Sequence, residues 1–306
     1  MNTFSTALAP IMVLILIGYA LKRVNFLSNE TWHGMEKLTY FILLPALLIR
    51  TLANQTLAGS PWPSMLMVVC ATLLLASVVL VIFHKTRASV DNATFTSIFQ
   101  GGIRFNTYIS LSVAQGLFGV AGLALSSVVA GFMIVLINFL CISAFAIWGK
   151  YRFKGIIPFT RAIAGNPMII SCAIGWALSL SGIGLTGIAE DIFEILGRAA
   201  LPFGLLAVGA ALRPEMIHGH VKAITVSTLV QFALKPLTAV LIIFYSGLSG
   251  IAAGVLIIAF MTPTASSSTI LARQLGGDTE TMASIITFQT LGAFIIMPLL
   301  ALVFLS

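Results

Sequence analysis

Apolar runs of about helix length follow one another along the chain, separated by short polar or basic clusters. None alternates apolar and polar residues with the period of two that a membrane barrel strand requires. A run of about 20 residues matches the hydrocarbon core of a bilayer crossed by a helix. Ten such spans are predicted, at residues 5–21, 38–53, 63–83, 92–120, 122–148, 166–183, 190–212, 223–245, 249–275 and 281–305. Composition reinforces the pattern. The 306 residues are 59% hydrophobic and 8% charged, where a soluble domain carries about 25% charged residues. Lipid must be the main solvent, and lipid obliges every backbone polar group to pair internally. The expectation is an all-α integral membrane protein, multi-pass, in the cell membrane.

Charge placement orients the spans. The net charge is +7, but no basic stripe interleaved with aromatics exists, so nucleic acid is not a partner; the lipid bilayer is. Lys22, Arg23, Lys37, Lys85, Arg87, Lys150, Arg152, Lys154, Arg161, Arg213, Lys222 and Arg273 all fall in the loops after odd-numbered spans. The opposite loops hold Glu190, Asp191 and Glu194, and Arg50 and Arg198 near that boundary are expected to snorkel. The positive-inside bias then makes the basic loops cytoplasmic and sets both termini outside. Lys22-Arg23 follows the first span instead of preceding it, the reverse of a secretory signal. Cys70, Cys141 and Cys172 lie singly inside apolar runs, and the histidines lie at run ends or in loops. No metal site and no cofactor are expected.

The chain carries a weak internal repeat. Pro45 in span two and Pro202 in span seven are 157 residues apart, and the same offset carries Asn106 onto Pro263. Two halves of five spans, 1–154 and 155–306, are therefore expected, and the odd span number inverts one relative to the other.

Helix-breaking residues mark four spans. Span four contains Gly101-Gly102, then Arg104-Phe105-Asn106-Thr107. Paired glycines weaken a helix by about 1 kcal/mol each, and a mid-span Arg must face a polar cavity or a partner. Asn106 and Thr107 suit the N-cap of a restarting helix. Span nine contains Thr262-Pro263-Thr264-Ala265-Ser266-Ser267, read as Thr262 capping a helix that restarts at Pro263. Gly101, Gly102, Pro45 and Pro202 are the expected helix breaks. Two half-helices restarting near the midplane aim their positive ends at one cavity, which favours an anion. Arg104, Asn106, Thr107, Thr262, Pro263, Thr264, Ser266 and Ser267 are the candidate substrate-binding residues. Lys235, before Pro236 in span eight, either neutralises the half-helix C-termini or meets the substrate. Asn138 in span five is a further polar candidate. No acidic residue lies deep in a span, which weighs against cation transport.

These motifs, with Gly165-Asn166-Pro167 opening span six, the stretch from Gly197 to Leu212 and the stretch from Ala272 to Thr287, resemble the auxin efflux carrier family. The resemblance covers essentially the whole chain. It implies a five-plus-five inverted repeat like that of sodium/proton antiporters and bile-acid symporters. Spans 1, 2, 6 and 7 would form a scaffold domain and spans 3–5 and 8–10 a transport domain in which the broken spans four and nine cross. It places Asn106, Thr262, Pro263 and Thr264 at the substrate carboxylate and implies a homodimer. Plant relatives carry auxin, and bacterial relatives are labelled malonate or other organic-acid carriers. Arg104 suits a second carboxylate.

The function expected is secondary transport of a small organic anion by alternating access, a dicarboxylate such as malonate being favoured. The alternatives are a symporter or antiporter of the same fold coupled to H+ or Na+, and a non-transporting anion sensor. No constellation of an enzyme is present in any span.

Overall fold

The computed structural model describes residues 2–55, 61–86, 90–150, 160–161 and 164–305. Every regular element among them is helical. Arg87, Arg152, Lys154 and the expected boundary between the halves lie outside the described residues. The elements are α1 (Asn2–Arg23), α2 (Asn29–Leu38), α3 (Leu44–Ala53), α4 (Trp62–Thr86), α5 (Asn92–Ile103) and α6 (Thr107–Trp148). After these come α7 (Pro167–Leu180), α8 (Ile188–Ala210), α9 (Val221–Leu229), α10 (Lys235–Ser246), α11 (Gly250–Met261), α12 (Ser268–Leu275) and α13 (Thr279–Phe304).

Among the described residues, six helical stretches are long and apolar enough to cross a membrane. The ten predicted spans are recovered once the interruptions are followed. Residues 92–148 form two spans, because Gly119 adopts φ 61°, ψ −146° and turns the chain back. A straight helix would hold residues 95 and 148 roughly 80 Å apart; instead the Phe95 and Trp148 rings lie 5.0 Å apart. The remaining spans are in pieces or short: α2 with α3, α7, and α11 with α12.

Capping residues start several of these helices. Asp91 Oδ1 accepts from the Ala93 and Thr94 amides, Asn166 from those of Met168 and Ile169, and Asp278 from those of Glu280 and Thr281. Asp278 also ties two spans together, since Thr94 donates to its carboxylate at 3.1 Å and Ser97 to its carbonyl at 2.7 Å. Burial works to raise the Asp278 carboxyl. Hydrogen bonds from Thr281 and Thr94 and the nearby His220 outweigh it and hold the group below the usual carboxylate value.

The basic end of the molecule is knit by Lys150 N–H donating to Gly276 O and Asp278 N–H to Ala93 O, and by His84 stacking on Phe95. At the other end Arg50 binds Glu194 at 2.8 Å, with Glu190 at 3.8 Å and Arg198 on the same Glu194. Arg50 and Arg198 thus share an ion cluster, where snorkelling alone was expected.

Two groups of helices pack among themselves. α1 packs on α8, and α3 on α7 and α8; α5 packs with α4, α9 and α13, and α10 with α4 and α11. α6 touches both groups. In the first group backbones meet closely through small residues, as lipid-embedded helices require. A Cβ on Gly209 would lie 1.9 Å from Ile15 O, and one on Gly18 2.1 Å from Leu206 O.

Three expected breaks are corrected. Pro202 lies inside an uninterrupted α8; the missing N–H removes one ladder bond without ending the helix. Pro45 is the second residue of α3 and follows a π-helical turn, Thr39–Leu43. The same device precedes Pro236, where Val230–Leu234 is π-helical. The wider turn makes room for the proline ring. Gly101 and Gly102 belong to the last helical turn of α5. They are a packing notch, since Cβ atoms there would lie 2.7 Å from Ile285 and 3.0 Å from Leu80.

Gly209→Val should therefore break the α1–α8 seam and cost most of the monodisperse protein recovered in gel filtration. Gly34, where an added Cβ would meet nothing within 4 Å, should gain up to about 1 kcal/mol on replacement by Ala. Asp278→Asn should lower the melting temperature at neutral pH. Because the folded carboxyl is depressed, its contribution is full above the ordinary value near pH 4 and is lost as pH falls through the folded value; melting curves of wild type and variant should converge in acid.

Candidate functional site

The two interrupted helices meet at their breaks. α5 ends at Ile103, and Arg104 (φ −68°, ψ 160°) begins an extended stretch that closes at Asn106, the N-cap of α6. α11 ends at Met261, and Thr262 (φ −73°, ψ 152°) is extended. Pro263 forces that conformation, because its ring excludes the helical region for the residue before it. Asn106 N–H donates to Thr262 Oγ1 at 3.3 Å, and Thr264 Oγ1 donates to Gln100 O at 3.4 Å. The crossing is therefore a direct contact between the two breaks.

An interrupted helix in lipid leaves carbonyls that water cannot serve. Here side chains serve them. Lys235 Nζ donates to Ile103 O at 3.1 Å, Arg104 O at 3.2 Å and Gln231 Oε1 at 2.7 Å. Gln231 in turn donates to Thr262 O. Gln289 donates to Gly101 O at 3.0 Å and accepts from Thr264 N–H at 3.0 Å. Lys235 is fully buried, and its charge opposes the negative C-terminal end of α5.

On the opposite side of the crossing lies a cavity lined by Tyr40, Arg104, Asn106, Tyr108, Asn138 and Ser267, among others. It continues past Asn166 and Gln274 into a wider part of about 210 Å³ at the basic end of the molecule. Among the described residues no carboxylate lines either part; Glu36 lines only a smaller recess beside Thr39. Arg104 is buried and held by a neutral partner: its guanidinium donates to Gln100 Oε1 at 3.4 Å, and Gln100 donates to Ser268 O at 3.5 Å. Asn106 Oδ1 accepts from the Ile109 amide, leaving its Nδ2 buried without a partner. The first amides of α6, on Thr107 and Tyr108, have no intrahelical acceptor, and both residues line the cavity. The walls near the midplane are thus rich in unspent donors.

Residues 156–301 match the model of a family described as membrane transport protein, to which the auxin efflux carriers belong. The match covers a little under half of the chain, and over that stretch the chain is similar to the family. The resemblance read from its motifs agrees with that match. The chain is 23% identical over 304 residues to a protein of Methanothermobacter thermautotrophicus described as an uncharacterized transporter, covering 99% of each chain. It is 22% identical over 307 residues to another of that description from Methanocaldococcus jannaschii, covering 94% of this chain and 95% of that one. The solved sodium/proton antiporter of Methanocaldococcus jannaschii superposes with a TM-score of 0.48 at 15% identity, covering 97% of this chain and 92% of the antiporter. That likeness is too loose to carry argument, and the fold stands on the contacts described above.

Of the candidate residues, the fold brings Arg104, Asn106, Thr107 and Ser267 onto the cavity walls and Ser266 onto the smaller recess that Glu36 also lines. Thr262, Pro263 and Thr264 are buried in the crossing behind it, with their polar groups engaged. The restarting helix of span nine begins at Ser268, with Ser267 as N-cap, so Thr262 ends one helix and does not cap the next. Its first amides are already spent in turn bonds to Ala265, Ser266 and Ser267, so the expected second positive helix end is weak. Lys235 meets the helix end and is absent from the cavity lining.

Sequence reasoning passed over Tyr40 and Tyr108 on the walls and Gln100, Gln231 and Gln289 in the support. Gln231 lies one helical turn before Lys235, a spacing that puts both on one face. Asking which side chains satisfy the freed carbonyls would have found it. Lys235→Met should orphan three acceptors, each costing about 1–3 kcal/mol when buried. A lower melting temperature in detergent is expected; an unchanged one would mean that the carbonyls are served otherwise.

Proposed function

We propose that this transporter carries a small organic anion by alternating access, the anion binding where Arg104 and the Asn106 amide converge on the cavity. The observation that carries this reading is the sign of the walls: a buried guanidinium, an unpaired amide donor and free helix amides, with no carboxylate among the described residues that line the space. A buried cation without an acidic partner is expensive unless a mobile anion completes it. Interactions of this kind recur where broken transmembrane helices meet anionic groups. A second carboxylate on the substrate suits Arg104, which favours a dicarboxylate such as malonate.

Packing supports a division of labour. Tyr40, Leu44 and Met168 come to the cavity from the helices around α3 and α7. Arg104, Asn106, Asn138 and Ser267 come from the other side. A site at such a seam opens and closes when one group rocks against the other. In this reading α1, α2, α3, α7 and α8 are the scaffold, paired in a homodimer, and the remaining helices move. The basic end faces the cytoplasm by the positive-inside bias, both termini face outward, and the cavity of this conformation leads inward.

The test is counterflow of labelled malonate, malate and monocarboxylates in proteoliposomes. Wild type should exchange at least one of them. Arg104→Ala should slow dicarboxylates more than monocarboxylates, by about tenfold or more, the worth of one charge-assisted hydrogen bond. Asn106→Ala should slow both classes. Sodium or proton flux without any carboxylate would overturn the anion reading, and tight binding without flux would make the protein a sensor.

A further inference from the structure

Among the described residues, two buried side-chain amide atoms on the cavity walls lack hydrogen-bond partners, and they are of opposite kind. Asn106 Nδ2 is a donor and Asn138 Oδ1 an acceptor. Neither assignment is arbitrary. Turning the Asn106 amide over would set its NH2 against the Ile109 N–H, which now donates to Oδ1 at 3.1 Å. Turning the Asn138 amide over would set its oxygen against the Ile134 carbonyl, which now accepts from Nδ2 at 2.8 Å. Each amide is therefore locked by its own helix, with the opposite end left unpaired. The residues are 1% and 3% exposed, and both line the same cavity.

An anion accounts for only one of the two. Carboxylate oxygens take hydrogen bonds from Arg104, Asn106 Nδ2 and the amides that open α6. They give nothing to Asn138 Oδ1, and an anionic oxygen placed against it would be repelled. Both atoms are buried without a protein partner, and a ligand that fills the cavity must supply both bonds or leave a buried polar group unpaired. The group that meets Asn138 must be a donor. An ammonium is disfavoured, because it would share the cavity with Arg104 and find no carboxylate among the described residues of the walls. A neutral donor fits.

We infer that Asn138 is a specificity-determining residue that accepts a hydrogen bond from a hydroxyl group of the substrate, so that the transported class is hydroxycarboxylates. The inference rests on the anion reading of this site and narrows it. Asn138 sits on the part of α6 after Gly119, and Asn106 caps the part before it. The chain reversal at Gly119 brings them onto one cavity, so the recognition pair spans a single helical hairpin. One buried acceptor left unpaired costs about 1–3 kcal/mol, equivalent to a preference of about fivefold or more. Sites built to bond a substrate hydroxyl reject its deoxy analogue strongly for this reason.

The experiment compares acids of the same carbon skeleton with and without the hydroxyl: tartronate against malonate, malate against succinate, and lactate against propionate. Each competes for counterflow in proteoliposomes containing the full chain. In wild type the hydroxylated member of at least one pair should compete at a concentration lower than its deoxy partner's by about fivefold or more. Asn138→Leu, which keeps the volume and removes the acceptor, should bring the hydroxylated acids down towards their partners and close the gap. Equal competition within every pair in wild type would overturn the inference while leaving the anion reading intact. A gap that survives in Asn138→Leu would overturn the role of Asn138. Absence of competition by any carboxylate would sink both. If Asn138→Leu fails to fold, as judged by gel filtration, Asn138→Ser, which keeps a smaller oxygen, takes its place and should narrow the gap. The wild-type comparison decides the substrate class in either case.

Discussion

Lipid supplies no hydrogen bonds to an interrupted helix, so each break within the bilayer has to be satisfied by protein. In this chain Lys235, Gln231 and Gln289 meet that demand. All three approach the crossing of α5–α6 with α11–α12 from α9–α10 and α13. One helical register, carrying Gln231 and Lys235 on one face, serves carbonyls from both broken helices. The π turn before Pro236 belongs to the same arrangement, because it contains Gln231 and runs directly into the Lys235-Pro236 pair.

The consequence is a crossing with two unlike sides. Towards α9–α10 and α13 every freed carbonyl described above has a partner. Towards α3 and α7 the donors are left over: Arg104, Asn106 Nδ2 and the opening amides of α6. A cavity rich in unspent donors can exist in a membrane only because the acceptors were taken up elsewhere. The donor-rich cavity wall and the structural support are thus two results of one allocation of hydrogen bonds. Arg104 shows it within a single residue, since its carbonyl is held by Lys235 while its side chain turns to the cavity beside Gln100.

The sequence carried more of this than its weak motifs suggest. Arg104 in an apolar run demands a polar cavity, and Pro263 demands an interruption; both features are present where the chain placed them. The details failed where a local rule has two outcomes. Pro263 either starts a helix or ends the one before it, and the extended Thr262 shows that it ends α11. Gly101-Gly102 either breaks a helix or admits a neighbour. Ile285 and Leu80 decide for the neighbour, and both are remote in sequence. Pro202 either kinks or breaks, and the close seam of α8 on α1 holds that helix through it.

Hydrophobic run length, an Arg and a Lys set within apolar runs, the sign of the loops and the lack of acidic residues deep in a run are properties of composition and order, and they set the class of the protein before any packing is considered. Each depends on a cost so large, a charge or an open backbone in hydrocarbon, that neighbours cannot reverse it. What only the folded chain decided is which side chain satisfies which carbonyl, and hence which polar atoms remain for a ligand. Those choices separate alternatives of about one hydrogen bond each. They are set by residues such as Gln100, Gln231, Gln289 and Asn138, whose meeting at the crossing depends on packing between segments far apart in the chain.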